Sequence, residues 1–404
     1  MLLKIATAAI FLLTYGGVAI GRFPGLRIDR AGIALTGAAF TIAVGAISPE
    51  EAYRAIDLDT LALLLGMMIV VGHLRLSGFF RLGARWALEH AHSQPVFLVA
   101  VALTSGLLSA FLVNDAVCLV MAPLVVETTR ALKRDPVPYL LAVAMASNVG
   151  SAATITGNPQ NMIIGAFSHI PYVEFVKALA PTAALGVALT VALIAAFSPR
   201  EFFPIERLGA AGAKARVNLP QMIKATVVAL AVVALFFAGA PVGEAAILGG
   251  ALLLVTRSIK AQKVYREIDG SLLLLFAGLF VVVAGAEKAL LTSDVLDLAR
   301  SIHLENVWSL TVVMAALSNV ISNVPAVLAI KPFVQGVADP QKAWLVIAMS
   351  STFAGNLTLV GSVANLIVAE KARQAGIEIS FWRYARIGVP LTLLTLALGA
   401  WRLS

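Results

Sequence analysis

One carboxylate stands where water does not easily reach. Asp115 lies inside a long apolar stretch, in the run Leu108-Ser109-Ala110-Phe111-Leu112-Val113-Asn114-Asp115-Ala116 that continues to Pro123. A carboxylate at membrane depth costs about 3 kcal/mol or more unless it is paired, hydrated or protonated. The chemistry this permits is reversible proton binding, which makes Asp115 the candidate proton carrier. The alternative is a structural carboxylate capping the helix that follows. A matching run, Leu317-Ser318-Asn319-Val320-Ile321-Ser322-Asn323-Val324-Pro325, continues to Pro332, with Val324 in the place of Asp115.

A second pair of polar stretches follows the first. Ser147 to Asn161 (SNVGSAATITGNPQN) and Ser351 to Asn365 (STFAGNLTLVGSVAN) align without a gap, with Ser147/Ser351, Thr154/Thr358, Gly157/Gly361 and Asn161/Asn365 identical. Gly150, Gly157 and Pro159 make a helix break plausible in the first stretch, and Gly355 and Gly361 in the second. Non-helical backbone survives at membrane depth only inside protein or beside a water-filled cavity. Two breaks in each repeat therefore point to one shared polar cavity. Half-helix N-termini offer N–H groups to an oxyanion or hydroxyl oxygen, and C-terminal ends offer carbonyls to a cation. The candidate substrate-binding side chains are hydroxyls and amides: Asn114, Asn148, Thr154, Thr156, Asn158, Asn161, Ser322, Asn323, Asn356, Thr358, Ser362 and Asn365. A single such residue in a membrane helix usually bonds its own backbone or a neighbouring helix. Four clusters placed twice by a repeat argue for a site.

Composition sets the elements that must position them. The chain has 404 residues, 60% hydrophobic and only 13% charged, too little charge to cover a soluble protein of this size. The expected architecture is an all-α polytopic membrane protein of inverted repeats, with about ten transmembrane helices, two of them broken, plus two re-entrant hairpins. Uninterrupted crossings are expected near 3–21, 31–47, 59–76, 178–198, 220–238, 241–257, 270–286 and 385–402. The broken crossings are expected at 138–167 and 340–369, and the hairpins at 96–128 and 305–333. The first half covers 1–198, a cytoplasmic linker 199–219, and the second half 220–404. Segments 78–91 and 288–302 resemble interfacial helices. Ile56-Asp57 with Leu63 and Gly66 recurs as Ile268-Asp269 with Leu275 and Gly278. An odd number of crossings between the two units inverts the second.

Charge orients the chain. The basic loops at Arg27/Arg30, Arg130/Lys133/Arg134 and Lys371/Arg373/Arg383/Arg386 alternate with acidic ones at Glu50-Glu51 and Asp294/Asp297. The positive-inside rule puts the basic side in the cytoplasm and both termini outside. This also accounts for the net charge of +8 without nucleic acid. The single cysteine, Cys118, rules out an internal disulfide and a multi-thiolate metal site within one chain. The five histidines are scattered, with no H-E-x-x-H. No metal, cofactor or enzymatic activity is expected. His73 is expected at an interface beside Arg75, and Glu127 and Lys331 near hairpin bases, where long side chains reach water.

At these residues the chain resembles the ion transporter superfamily, which includes divalent anion–sodium symporters, sodium/proton antiporters and arsenite efflux permeases. Val113-Asn114-Asp115-Ala116 with Ser322-Asn323-Val324-Pro325 looks most like the arsenite permease branch. The anion–sodium symporters typically carry S-N-T at both tips, from which Val113, Asp115 and Val324 depart. The resemblance implies a scaffold part, a moving transport part and elevator-like alternating access. It leads to an expected exporter of arsenite or antimonite in exchange for protons, in the inner (plasma) membrane. Its partners would be a small inorganic solute (arsenous or antimonous acid), protons and the lipid bilayer, with room for a cytoplasmic ATPase partner. A sodium-coupled anion symporter, or a sodium/proton antiporter of the same superfamily, is the alternative.

Overall fold

A computed structural model describes residues 2–21, 27–83, 92–203, 205, 218–255, 259–290, 303–334 and 336–404. The regular elements are helices. The first half contains α1 (Leu2–Ile20), α2 (Arg30–Ala43), α3 (Pro49–Ala55), α4 (Leu58–Ser77), α5 (Gln94–Phe111), α6 (Asn114–Ala131), α7 (Pro136–Ser151), α8 (Pro159–Ser168) and α9 (Tyr172–Phe197). A short α10 (Pro199–Phe202) ends it. The second half repeats the order: α11 (Leu219–Phe237), α12 (Val242–Leu254), α13 (Ala261–Tyr265), α14 (Gly270–Leu290), α15 (Val307–Ile321), α16 (Asn323–Val334), α17 (Pro340–Ala354), α18 (Val363–Gln374) and α19 (Phe381–Leu403). Among the described residues, seven helices are long and apolar enough to cross a membrane: α1, α4, α5, α9, α11, α14 and α19.

The two repeats start their elements with the same chemistry. Asp135 and Asp339 each accept a backbone N–H as N-cap of a broken helix, and each is followed by proline, which needs no N–H partner in the first turn. Asp57 caps α4 through Thr60 N at 2.6 Å, and Asp269 accepts from Leu272 N at 3.0 Å at the start of α14. The hairpins are α5–α6 and α15–α16, and the broken crossings are α7–α8 and α17–α18. The short α3 and α13, unsignalled in the apolar pattern, lead into α4 and α14. The expected crossing at 31–47 is trimmed to α2 (Arg30–Ala43).

The helices sort into two groups by contact. One holds α1, α2, α4, α11, α12 and α14; the other holds the hairpins, the broken helices, α9 and α19. In the first group, α4 packs on α12 and α14 packs on α2. A Cβ on Gly66 would lie 2.3 Å from the Ala246 carbonyl carbon, and one on Gly278 would lie 2.7 Å from that of Ala34. The same sequence offset separates Gly66 from Gly278 and Ala34 from Ala246. The two crossings are therefore copies of one contact, made by small residues that let backbones touch. Much of 78–91 and 288–302, and of the linker 199–219, lies outside the described residues.

Candidate functional site

The hairpin tips are turns of very few residues. α5 ends at Phe111, and α6 starts at Asn114 without a side-chain cap. Asp115 sits in the first turn of α6, not at the cap position, where the helix dipole favours negative charge. It has no hydrogen-bond or ion-pair partner among the described residues. The second tip is tighter. Ser322 joins α15 to α16 with φ 76° and ψ 156°, a conformation close to glycine-only that costs about 1–3 kcal/mol.

The two helix breaks are braced identically. Asn161 Nδ2 donates to the carbonyls of Ser151 (3.2 Å) and Thr154 (2.9 Å). Asn365 Nδ2 donates to those of Gly355 (2.8 Å) and Thr358 (3.2 Å), which are the repeat-related positions. Each amide thereby satisfies carbonyls that the break releases, groups costing several kcal/mol if left bare in hydrocarbon. Asn158 caps α8 through Asn161 N at 2.8 Å, and its Nδ2 reaches Ser151 Oγ at 3.0 Å and Thr352 Oγ1 at 3.2 Å. Thr154 donates to the Ala110 carbonyl of the first hairpin, and Thr156 shares a hydrogen bond with Tyr172 Oη at 3.0 Å. Gly157 admits the Ser151 carbonyl. Gly150 works differently, because it lies inside α7 and lets the Gly106 backbone of α5 approach.

Asn148 joins the repeats. Its Oδ1 accepts from Asn114 Nδ2 (3.0 Å) and from Ser362 Oγ (2.9 Å). Its Nδ2 donates to Asn356 Oδ1 and to Asn365 Oδ1, both at 2.9 Å. One side chain thus ties the first tip to the second broken helix and puts tip and breaks at one depth. Ser147 Oγ donates to the Asn114 carbonyl at 3.2 Å and bonds Ser109 Oγ at 2.8 Å.

Above this network opens a cavity of about 400 Å³, within the usual range for a small-molecule site. Asn114, Asp115, Ser322, Asn323 and Ser362 line it, with Pro159 at the start of α8. Asn148, Thr154, Thr156, Asn158, Asn161, Asn356, Thr358 and Asn365 are buried or half-buried behind it and do not line it. Gln160, Asp29, Arg30 and Asp269 also line it, and the polar-break pattern did not single them out. Gln160 lies inside the aligned second stretch, next to Pro159. Asp29, Arg30 and Asp269 come from the starts of α2 and α14, and carry no periodic signal that ties them to the tips. Of these, Asp269 stands in the repeated Ile-Asp pair. Among the described residues, three carboxylates, Asp29, Asp115 and Asp269, share the wall with one guanidinium, Arg30. The acceptor oxygens of Asn114 and Asn323, at equivalent tip positions, are buried without a donor, as is that of Asn319. Among the described residues no cluster of three metal-ligating side chains occurs.

Three charged or thiol positions resolve as packing. His73 is fully buried among the helices, its Nδ1 2.9 Å from the Ile69 carbonyl. Cys118 is buried against α7, 3.9 Å from the Val143 carbonyl. Lys331 turns from water to Glu287 (3.7 Å) and to the Phe167 ring (4.5 Å).

Paired hairpins, paired broken helices and a cavity between them define a polytopic membrane transporter, not an enzyme. The solved YdaH transporter of Alcanivorax borkumensis has a similar fold, with TM-score 0.61 over 98% of this chain and 96% of that one, at 14% identity. The chain belongs to the CitMHS citrate transporter family, which it matches over residues 11–354. It is 32% identical to an uncharacterised transporter of Mycobacterium tuberculosis over 93% of each chain. It is 29% identical to a silicon efflux transporter of rice (Oryza sativa subsp. japonica) over 98% of each. A Dictyostelium discoideum transporter named arsB is 25% identical, over 93% of this chain and 87% of that one.

Proposed function

We propose that this transporter exports arsenous or antimonous acid in exchange for protons, by elevator-like alternating access. The supporting observation is the charge of the cavity, where among the described lining residues Asp29, Asp115 and Asp269 outnumber Arg30. Each uncompensated carboxylate at about 4 Å would repel each charge of an anion by about 1–4 kcal/mol, depending on screening. A neutral trihydroxy acid escapes that penalty and can be held by hydroxyls and amides such as those of Asn114, Ser322, Asn323 and Ser362. The names of the rice and Dictyostelium relatives, silicon efflux and arsB, fit small hydroxylated solutes. Asp115 carries the proton, because it lines the cavity from a hairpin tip without a partner among the described residues. Asn148, Asn161, Asn356 and Asn365 hold the tips and breaks in register around the solute.

Placing the Arg30 loop in the cytoplasm makes the cavity inward-open, since its mouth carries Asp29 and Asp269. Both termini are then outside the cell membrane, and an ATPase would dock on the cytoplasmic face. The test is arsenite uptake into everted vesicles driven by a proton gradient with sodium omitted. Uptake that collapses with an uncoupler, and falls at least about a hundredfold in Asp115→Asn, is expected. Undiminished proton-driven uptake by Asp115→Asn would remove the carboxylate from the mechanism.

A sodium-coupled carrier is the second reading, favoured by the donor-less oxygens of Asn114, Asn319 and Asn323. An acceptor without a donor suits a cation, and the family's citrate name suits an anion drawn by Arg30. Sodium-dependent citrate uptake, with no arsenite flux, would select this reading.

A further inference from the structure

We propose that a crevice between α7, α9, α10 and α19 binds the headgroup of an anionic phospholipid. It encloses about 720 Å³ and lies at the C-terminal end of α9 and the N-terminal end of α19, both span-length apolar helices. The fold builds its wall. Phe202 is fully buried, its ring 5.7 Å from that of Tyr139, which in turn lies 4.7 Å from Phe97. That anchor pins the short α10 and leaves Arg200 on the wall of the crevice.

Five charged residues line the crevice, and they do not balance. Asp135 is taken by Arg383 and by the backbone N–H of Val137. Glu201 accepts from Tyr139 Oη at 2.9 Å. Arg200 and Arg386 have no carboxylate partner among the described residues. The Arg386 guanidinium stands 5.4 Å above the Phe197 ring, a contact that orients the group without neutralising it. Two guanidiniums whose donors no described carboxylate takes up, lining one crevice, match the oxygens of a phosphate diester.

The surroundings select a lipid over a soluble phosphate. Trp382 on the rim is 79% exposed, as suits an aromatic at the boundary between lipid and water. Farther along α19, Leu393 and Leu394 face outward and give acyl chains an apolar path that an inorganic anion cannot use. Basic pockets between membrane helices on the cytoplasmic side recognise lipid headgroups by this combination. The site is separate from the transport cavity and does not depend on which solute is carried.

The test is native mass spectrometry of the delipidated full-length protein titrated with dioctanoyl phosphatidylglycerol, dioctanoyl phosphatidylcholine or inorganic phosphate. Saturable binding of phosphatidylglycerol is expected, at least about tenfold tighter than phosphatidylcholine and not displaced by equimolar phosphate. Arg200→Ala with Arg386→Ala should lose at least about tenfold. Arg200→Lys with Arg386→Lys should fall between, because it keeps charge but loses the planar fork. Gel filtration checks that the variants are folded; if the alanine pair is not, the lysine pair and phosphate competition decide. Equal binding of the two lipids, unchanged affinity in the variants, or displacement by equimolar phosphate would overturn the assignment.

Discussion

At Ser322 the chain accepts strain beside the cavity. Its φ of 76° with ψ of 156° is a region that side chains with a Cβ avoid, yet the residue there is serine. The hydroxyl and the backbone angle are separable by mutation. Ser322→Ala removes the hydroxyl and keeps the strain. Ser322→Gly removes both, at a smaller entropic cost than the strain it relieves. The glycine variant should therefore be more stable than the alanine variant by about 1 kcal/mol, read as melting midpoints in detergent. Both should lose arsenite transport to a similar extent if the hydroxyl touches the solute. A melting order with alanine above glycine would mean the tip is not strained. Asp115 is the other residue whose environment and identity disagree, since nothing among the described residues pairs with it. Its place inside a long apolar stretch made it legible in sequence. The turning of Asn161 and Asn365 toward carbonyls was not legible, because it depends on where the backbone of the break passes, and a list of amides cannot reveal that.

Among the elements, the hairpins and broken crossings were the most legible. Polar residues interrupt apolar stretches at matching places, and the repeat doubles the signal. Segments 96–128 and 305–333 become α5–α6 and α15–α16, and the breaks fall between α7 and α8 and between α17 and α18. The walls contributed by α2 and α14 were not legible as part of a site, since contact between distant elements leaves no periodicity. Gly66 and Gly278 were legible as a repeated pair, and the structure supplies the reason. Each lies against a backbone that cannot move aside as a side chain can. Gly66→Ala and Gly278→Ala should each destabilise by about 1–3 kcal/mol through forced separation of helices. Melting curves of the two single variants test this. The repeat geometry implies losses of similar size, with the larger at Gly66, where the added carbon comes closer. A neutral result at both sites would mean the two crossings relax freely.

For the whole molecule, the decisive contacts are those that join the two helix groups, because the proposed elevator cycle must break them. Among the described residues, Lys331 of α16 and Glu287 of α14 form the one ion pair between the groups, with side chains 26% and 27% exposed. Phe167 of α8 reinforces it, under Lys331 and 5.9 Å from Phe280 of α14. The pair spans the seam between the second hairpin and the other group. A half-buried pair of this kind contributes about 1 kcal/mol, enough to move a two-state equilibrium about fivefold. Lys331→Ala should therefore favour the opposite-facing state. With Cys118→Ala as background, Ser322→Cys provides a thiol in the cavity, and a membrane-impermeant maleimide reports which side reaches it. Labelling should come mainly from the side of Asp29 and Asp269 while the pair is intact. Lys331→Ala should raise labelling from the other side several-fold, and the swap of Lys331→Glu with Glu287→Lys should restore the original bias. If the swap fails while each single change acts, the effect belongs to the Phe167 contact and not to the charges. If neither single change alters sidedness, this seam does not set the resting orientation, and the balance between the two states lies in the apolar contacts of α4 with α8 and α1 with α15.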